Sequence, residues 1–259
     1  MSRLLGSLFL CWRVKIVPAN GAPFRSSGKE FDVAQENEKV GADDIRVSMT
    51  CLADFITKSG RSAESRLRPF KFSNRGEGFA RSIYYQTALK AIRAYHSQEN
   101  DPAILERALA ELRTLADIAE KNRDRTRYEH NVDAIVAYRK LYGKRKFKIL
   151  PNRRLEYRIG SIVVKAQPDL WAEEDRAQVL LKIGIPSHGT SYIDIVLTVL
   201  RKAAASRRLR IRAKNFVYLN VSSGREMISS GALTRFNRTF REAARDIASV
   251  WPKITDSSS

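Results

Sequence analysis

The sequence predicts an α/β protein, with α+β as the alternative: a small mixed sheet flanked by helices and preceded by a helical section. Two observations carry this prediction. Between residues 80 and 142, apolar side chains recur at helical spacing in three successive segments. From residue 146 the period changes to short β-branched or alternating runs, followed by a helix, a further strand and a closing helix. With 43% hydrophobic residues in 259, the chain can bury a core of that size.

The elements follow in order. Residues 1–46 differ from the rest. An apolar run at 4–12 and the small residues of Ala19-Asn20-Gly21 sketch a secretory signal, but Arg13 and Lys15 follow the run directly. Polar residues of mixed charge then continue through Asp44, so 1–46 reads as a disordered or non-native extension of a cytoplasmic protein. The body is expected from Val47, divided into a helical section at 47–145, a sheet core at 146–252 and a tail at 253–259.

Ser48 and Thr50 can cap a short helix through Thr57, closed by Ser59-Gly60. Residues 61–78 read as a basic loop, with Phe70 and Phe72 among Arg66, Arg68, Lys71 and Arg75. Helices are expected at 80–96, at 101–121 behind the Asp101-Pro102 cap, and at 124–142 up to Gly143. The last of these places Tyr128, Val132, Ile135, Val136 and Tyr142 on one face. Strands are expected at 146–150, 154–159, 161–166 and 178–185, bounded by Pro151-Asn152, Gly160 and an acidic turn at 173–176. A helix at 191–205 buries Tyr192, Val196, Val199 and Leu200. A strand at 215–221 and a helix at 233–251 complete the body.

Charge narrows the function. There are 47 Lys and Arg against 28 Asp and Glu, a net charge of +19. Residues 1–46 hold seven basic and six acidic side chains, so the excess belongs to the body. A field of that sign favours a polyanion, nucleic acid or an anionic membrane surface, and its placement along the body points to nucleic acid, for which DNA is the expected form. Two segments concentrate it. Residues 139–158 carry nine basic side chains and one acid, including Lys144, Arg145 and Lys146. Residues 201–214 carry seven and none, including Arg207, Arg208, Arg210, Arg212 and Lys214. Both are expected to follow a phosphate backbone.

Other classes drop out. No apolar run approaches the 18 or so residues of a membrane-spanning helix. Cys11 and Cys51 are too few for a disulfide scaffold or a cysteine zinc site. His96, His130 and His188 are too scattered for a metal-binding box, and no GxSxG, GxxxxGK[ST] or GxGxxG occurs.

Residues 162–185 carry the remaining chemistry. Pro168-Asp169 stands at the end of one expected strand, and Lys182 lies within the next, just before Gly184. Antiparallel pairing would bring Asp169 and Lys182 to one edge of a sheet. A carboxylate there can hold Mg²⁺ or Mn²⁺, and a lysine can stabilise developing charge on a phosphate.

This order of parts, over residues 49–221, resembles the PD-(D/E)xK nuclease superfamily, within it the RecB-like exonucleases. The resemblance implies a restriction-endonuclease-like core and metal-dependent phosphodiester hydrolysis. It further implies roles for His130 and Glu156 as metal ligands, for Asp169 as the metal-binding acid and for Lys182 as the catalytic lysine, with Glu156 part of the catalytic set. One departure is decisive for activity: the acid expected two residues before Lys182 is Leu180. Glu156, Asp175 and Asp194 are the acids that would have to replace it. Three functions follow: a nucleic-acid-binding protein on a degenerate nuclease fold, an active Mg²⁺-dependent DNA nuclease with a relocated acid, or a basic protein-interaction module.

Overall fold

The computed structural model describes residues 44–58, 60–72, 85–151, 153–185, 188–229 and 231–255. Residues 1–43 of the expected 1–46 extension and the last four residues of the expected tail lie outside them, whereas Ile45 and Arg46 belong to a strand. Among the described residues there are seven α-helices and eight strands in two mixed sheets, so the chain is mixed α/β.

The first sheet has three strands in the order β1 (Ile45–Ser48), β4 (Ile162–Lys165), β3 (Glu156–Ile159). β1 runs parallel to β4 and β3 antiparallel to it. The second has five, in the order β2 (Lys148–Ile149), β5 (Leu170–Glu174), β6 (Ala177–Gly184), β7 (Phe216–Asn220), β8 (Arg225–Ile228). β6 and β7 are parallel, and the other neighbours in that sheet are antiparallel.

Each face of the five-stranded sheet buries its own core. On one face Trp171, Leu180, Phe216 and Tyr218 pack with α1 (Met49–Thr57), α2 (Ala63–Lys71), α6 (Thr190–Ser206), α7 (Asn237–Val250) and the small sheet. On the other, Leu170, Ala172, Val179, Leu181, Ile183 and Leu219 pack with α3 (Gln86–Ser97), α4 (Pro102–Asp117) and α5 (Asn122–Tyr142). A strand buried on both sides is apolar in both registers, which is why β6 reads as a nearly unbroken hydrophobic run.

Local chemistry explains most element ends. The Ser48 hydroxyl accepts from the Cys51 amide to start α1, and Asp101 accepts from Ala103 to start α4 ahead of Pro102. α6 ends in a Schellman motif: Leu209 N–H donates to the Ala204 carbonyl at 3.0 Å, and Arg208 N–H to Ala205 at 2.8 Å. The left-handed position, usually glycine, is Arg208, at φ 57°.

Several expectations are corrected. The basic loop contains a helix, α2, capped by Ser62 and carrying Pro69 inside it. Burial of Leu67 offsets the hydrogen bond that the proline lacks. β1, β5 and β8 were not expected. Asp169 therefore stands at the start of β5 and does not end the preceding strand. The turn from β5 to β6 is only Asp175-Arg176, at φ 48° and 64°. Those angles are the signature of a hairpin turn that normally shows itself as Asn-Gly or Asp-Gly. On α5 the buried residues are Asn131, Ala134, Ile135, Tyr138 and Tyr142, while Val136 is exposed.

Candidate functional site

Asp169 and Lys182 meet as expected. The register that pairs Leu170 with Leu181 sets Asp169 opposite Lys182, and Asp169 N–H donates to the Leu181 carbonyl at 2.9 Å. Lys182 Nζ donates to Asp169 Oδ1 at 2.9 Å, and the Ile183 amide donates to Oδ2 at 2.7 Å. The Asp169 side chain is only 9% exposed and that of Lys182 18%. A buried charge needs such partners, and this pair supplies them. Arg93 Nε holds the Asp169 carbonyl at 2.6 Å from the α3 side.

The surroundings include residues that spacing did not single out. Asp54, on the last turn of α1, pairs with Lys58 at 2.8 Å. Its charge reaches His188, Tyr192 and Tyr218. The His188 ring stacks on Tyr192 at 4.0 Å. Burial pushes the His188 imidazole below its ordinary value, with Asp54 opposing and Lys58 and Lys182 assisting. Burial raises both tyrosine hydroxyls well above theirs, with Asp54 and Asp169 adding to the effect. The Tyr218 hydroxyl lies where a Cβ on residue 184 would be, so only glycine fits there. Asp54 lies 115 positions before Asp169, too far for any local motif to join them.

The remaining ligands of the expected metal site are not assembled. Glu156 belongs to the other sheet, where Arg46 at 2.9 Å and Arg154 at 2.6 Å share its Oε1. His130 is exposed on α5, the helix covering the opposite face of the sheet from Leu180 and Tyr218. Asp175 is in the hairpin turn at the far end of β5. Asp194 pairs with Arg235 at 3.0 Å, and Arg201 on the same helix face bonds Ser229 and Gly231, so that face is packed and not solvated. Leu180 is wholly buried opposite Trp171. Among the described residues no group of three or more His, Cys, Asp or Glu side chains converges as a metal cage. The donor set at Asp169 is one carboxylate whose two oxygens already accept hydrogen bonds, and it does not fit a hard dication that needs several anionic oxygens.

The basic candidates divide by pairing. Arg145 is taken up structurally: its guanidinium grips Glu174 at 2.7 and 2.5 Å, reaches Glu226 at 3.4 Å and lies over the Tyr142 ring. The bond to Glu174 holds its pKa above the ordinary arginine value. Lys144 and Lys146 beside it are exposed. Arg207, Arg208, Arg210, Arg212 and Lys214, on the connection from α6 to β7, are all exposed. Among the described residues none of these seven has an ion-pair partner.

In sequence the two basic segments flank Asp169 and Lys182. In space they meet the sheet at its hairpin end, through Arg145 with Glu174 and through Asn215 with the Gln178 carbonyl at 2.9 Å. Four residues of β6 separate Gln178 from Lys182, about 13 Å at ~3.3 Å per residue. Arg145 and Asn215 are thus anchored at the hairpin end of the sheet, and Asp169 and Lys182 at the other end of the β5–β6 pair. Compared with known proteins, the chain matches no protein-family model and no curated sequence.

Proposed function

We propose that the protein binds nucleic acid, DNA in particular, through the phosphate backbone, on a fold that resembles the PD-(D/E)xK nucleases without their full acid set. The observation that carries this reading is the run Arg207, Arg208, Arg210, Arg212 and Lys214: five exposed cations on one connection, none paired with a carboxylate among the described residues. Unpaired guanidinium and ammonium groups keep their donors for phosphate, whereas Arg46, Arg145, Arg154 and Arg158 are committed to carboxylates. Such contacts position a backbone and carry no base readout. The test is binding of a labelled DNA duplex of about 20 base pairs by wild type and by the triple variant Arg208→Glu, Arg210→Glu, Arg212→Glu. The variant should bind about two orders of magnitude more weakly at low salt, without preference for sequence. Undiminished binding would remove the basis of the proposal.

The Asp169–Lys182 pair favours a second reading, a metal-dependent nuclease. It requires cleavage of DNA by the wild type with Mg²⁺ or Mn²⁺, abolished by both Asp169→Ala and Lys182→Ala. The binding reading expects no such cleavage, and expects Asp169→Ala to act on stability, because it strands a largely buried ammonium and the Ile183 amide. Breaking a buried pair of this kind typically costs about 3–5 kcal/mol.

A further inference from the structure

The arginine face of α7 lies beside a cavity. Arg238, Arg241 and Arg245 recur on one side of the helix, and with Ser161, Glu242 and the Gly160 turn of the β3–β4 hairpin they line a space of ≈ 570 Å³. All three arginines are exposed. Glu242 lies 3.6 Å from Arg238, whereas among the described residues Arg241 and Arg245 have no ion-pair partner. Glu242 offsets Arg238, so the like charges left facing each other about one turn apart are those of Arg241 and Arg245, a cost that a bound anion would relieve.

β3 joins this place to the connection from α6 to β7. At its first residue, the Ser206 hydroxyl at the end of α6 donates to the Glu156 carbonyl at 3.0 Å, one residue before Arg207. At the second, Tyr157 lies under Lys202 at 5.2 Å, and the charge of Arg241 acts on its hydroxyl. At its far end the Gly160 turn faces the α7 arginines. Lys202 in turn donates to Asn237 at the start of α7 at 2.6 Å. Of the two acids on the path, Glu156 is held by two arginines and Glu242 lies beside Arg238. The four residues of β3 cover about 13 Å at ~3.3 Å each. That is the axial advance of about four base pairs at ~3.4 Å per step.

We propose that Arg241 and Arg245, at the Gly160 turn, form a second phosphate-binding patch, so that one nucleic-acid backbone runs along β3 from Arg207 and Arg208 to α7. This rests on the nucleic-acid reading above and places the path on the β3, α6 and α7 side of the fold.

The experiment measures affinity for a labelled DNA duplex of about 20 base pairs as a function of salt. It compares wild type, the double variant Arg241→Gln/Arg245→Gln, and a control with the same charge change on exposed α4, Arg107→Gln/Arg113→Gln. Each backbone contact contributes about 0.9 to the slope of log K against log salt, so the α7 variant should lose about 1.8 from its magnitude and the α4 variant close to none. Equal losses in both variants would reduce the effect to net charge and overturn the patch. An unchanged slope in the α7 variant, with the Arg208, Arg210, Arg212 reversal still impaired, would overturn the patch while leaving the nucleic-acid reading intact. A wild type that does not bind DNA would overturn both. Binding to phosphatidylserine vesicles that depends on Arg241 and Arg245, with DNA binding unaffected, would assign the patch to an anionic membrane surface instead.

Discussion

Replacing Arg208 by glycine should make the protein more stable and a weaker binder. Arg208 holds the left-handed position of the Schellman motif that ends α6, at φ 57°. For a residue with a Cβ that conformation costs about 1–2 kcal/mol. Glycine removes the cost but adds about 0.4–1 kcal/mol of unfolded-chain entropy, for a net gain of roughly 1 kcal/mol. In a body of this size that raises Tm by about 2–4 °C. The same substitution removes one exposed, unpaired cation, so the salt slope of DNA binding should fall by about 0.9. Thermal unfolding followed by circular dichroism and salt-dependent anisotropy on one preparation read both effects. Arg208→Lys keeps the charge and the strain and should match wild type in each. The two effects have opposite signs, so stability and binding are separable in this one substitution. Arg208→Gly that lowers Tm would refute the reading of the backbone. A variant that gains stability and binds DNA as well as wild type would refute the role of the side chain.

Leu180→Asp places the missing acid in a wholly buried position against Trp171, so it should destabilise by more than about 3 kcal/mol and restore no Mg²⁺-dependent cleavage. Burial raises the pKa of the new carboxyl, so in urea titrations the penalty should be constant below about pH 4, where the acid is neutral in both states, and grow by about 1.4 kcal/mol per pH unit above it until the folded-state value is reached. A stable variant that cleaves DNA would contradict this. Gly184→Ala should destabilise by about 1–3 kcal/mol through collision with the Tyr218 ring and hydroxyl, and should cost less in a Tyr218→Leu background. Additive effects in that double-mutant cycle would contradict the contact. His96 is buried between Asn100 at 2.8 Å and the Tyr138 hydroxyl at 2.7 Å, and burial chiefly lowers its pKa. Its unfolded form therefore takes up the proton first. Stability is full above about pH 6.5 and falls as pH drops through the folded-state value, and His96→Phe should flatten that limb of the stability profile.

Periodicity made the helices legible. α4 and α6 begin within a residue or so of their expected starts, because Asp101-Pro102 and the apolar face of Tyr192, Val196, Val199 and Leu200 are local signals. β5 was hidden because Ala172, Glu173 and Glu174 are poor strand formers, held there by pairing with β6, and because its turn uses Arg176 where glycine is usual. The phase of α5 is not legible in its apolar residues because its polar Asn131 faces inward, where it accepts from the Ala88 amide and donates to the Arg127 carbonyl. Asp169 with Lys182 was accessible because both lie in one stretch of chain and need only a hairpin to meet. Glu156 and His130 were assigned by the order of parts, and order does not decide which sheet or which face a residue joins. No motif marks the arginines of α7; their spacing along one helix face is the only signal the sequence carries for them.

The most direct test of the account is the salt dependence of DNA binding by the full-length wild type, measured by fluorescence anisotropy on a duplex of about 20 base pairs. Arg207, Arg208, Arg210, Arg212 and Lys214 together predict a slope of log K against log salt of about −4.5, steeper when the α7 patch contributes. Failure to bind at low salt, or an affinity that does not change with salt, would contradict the claim that this surface exists to hold a phosphate backbone.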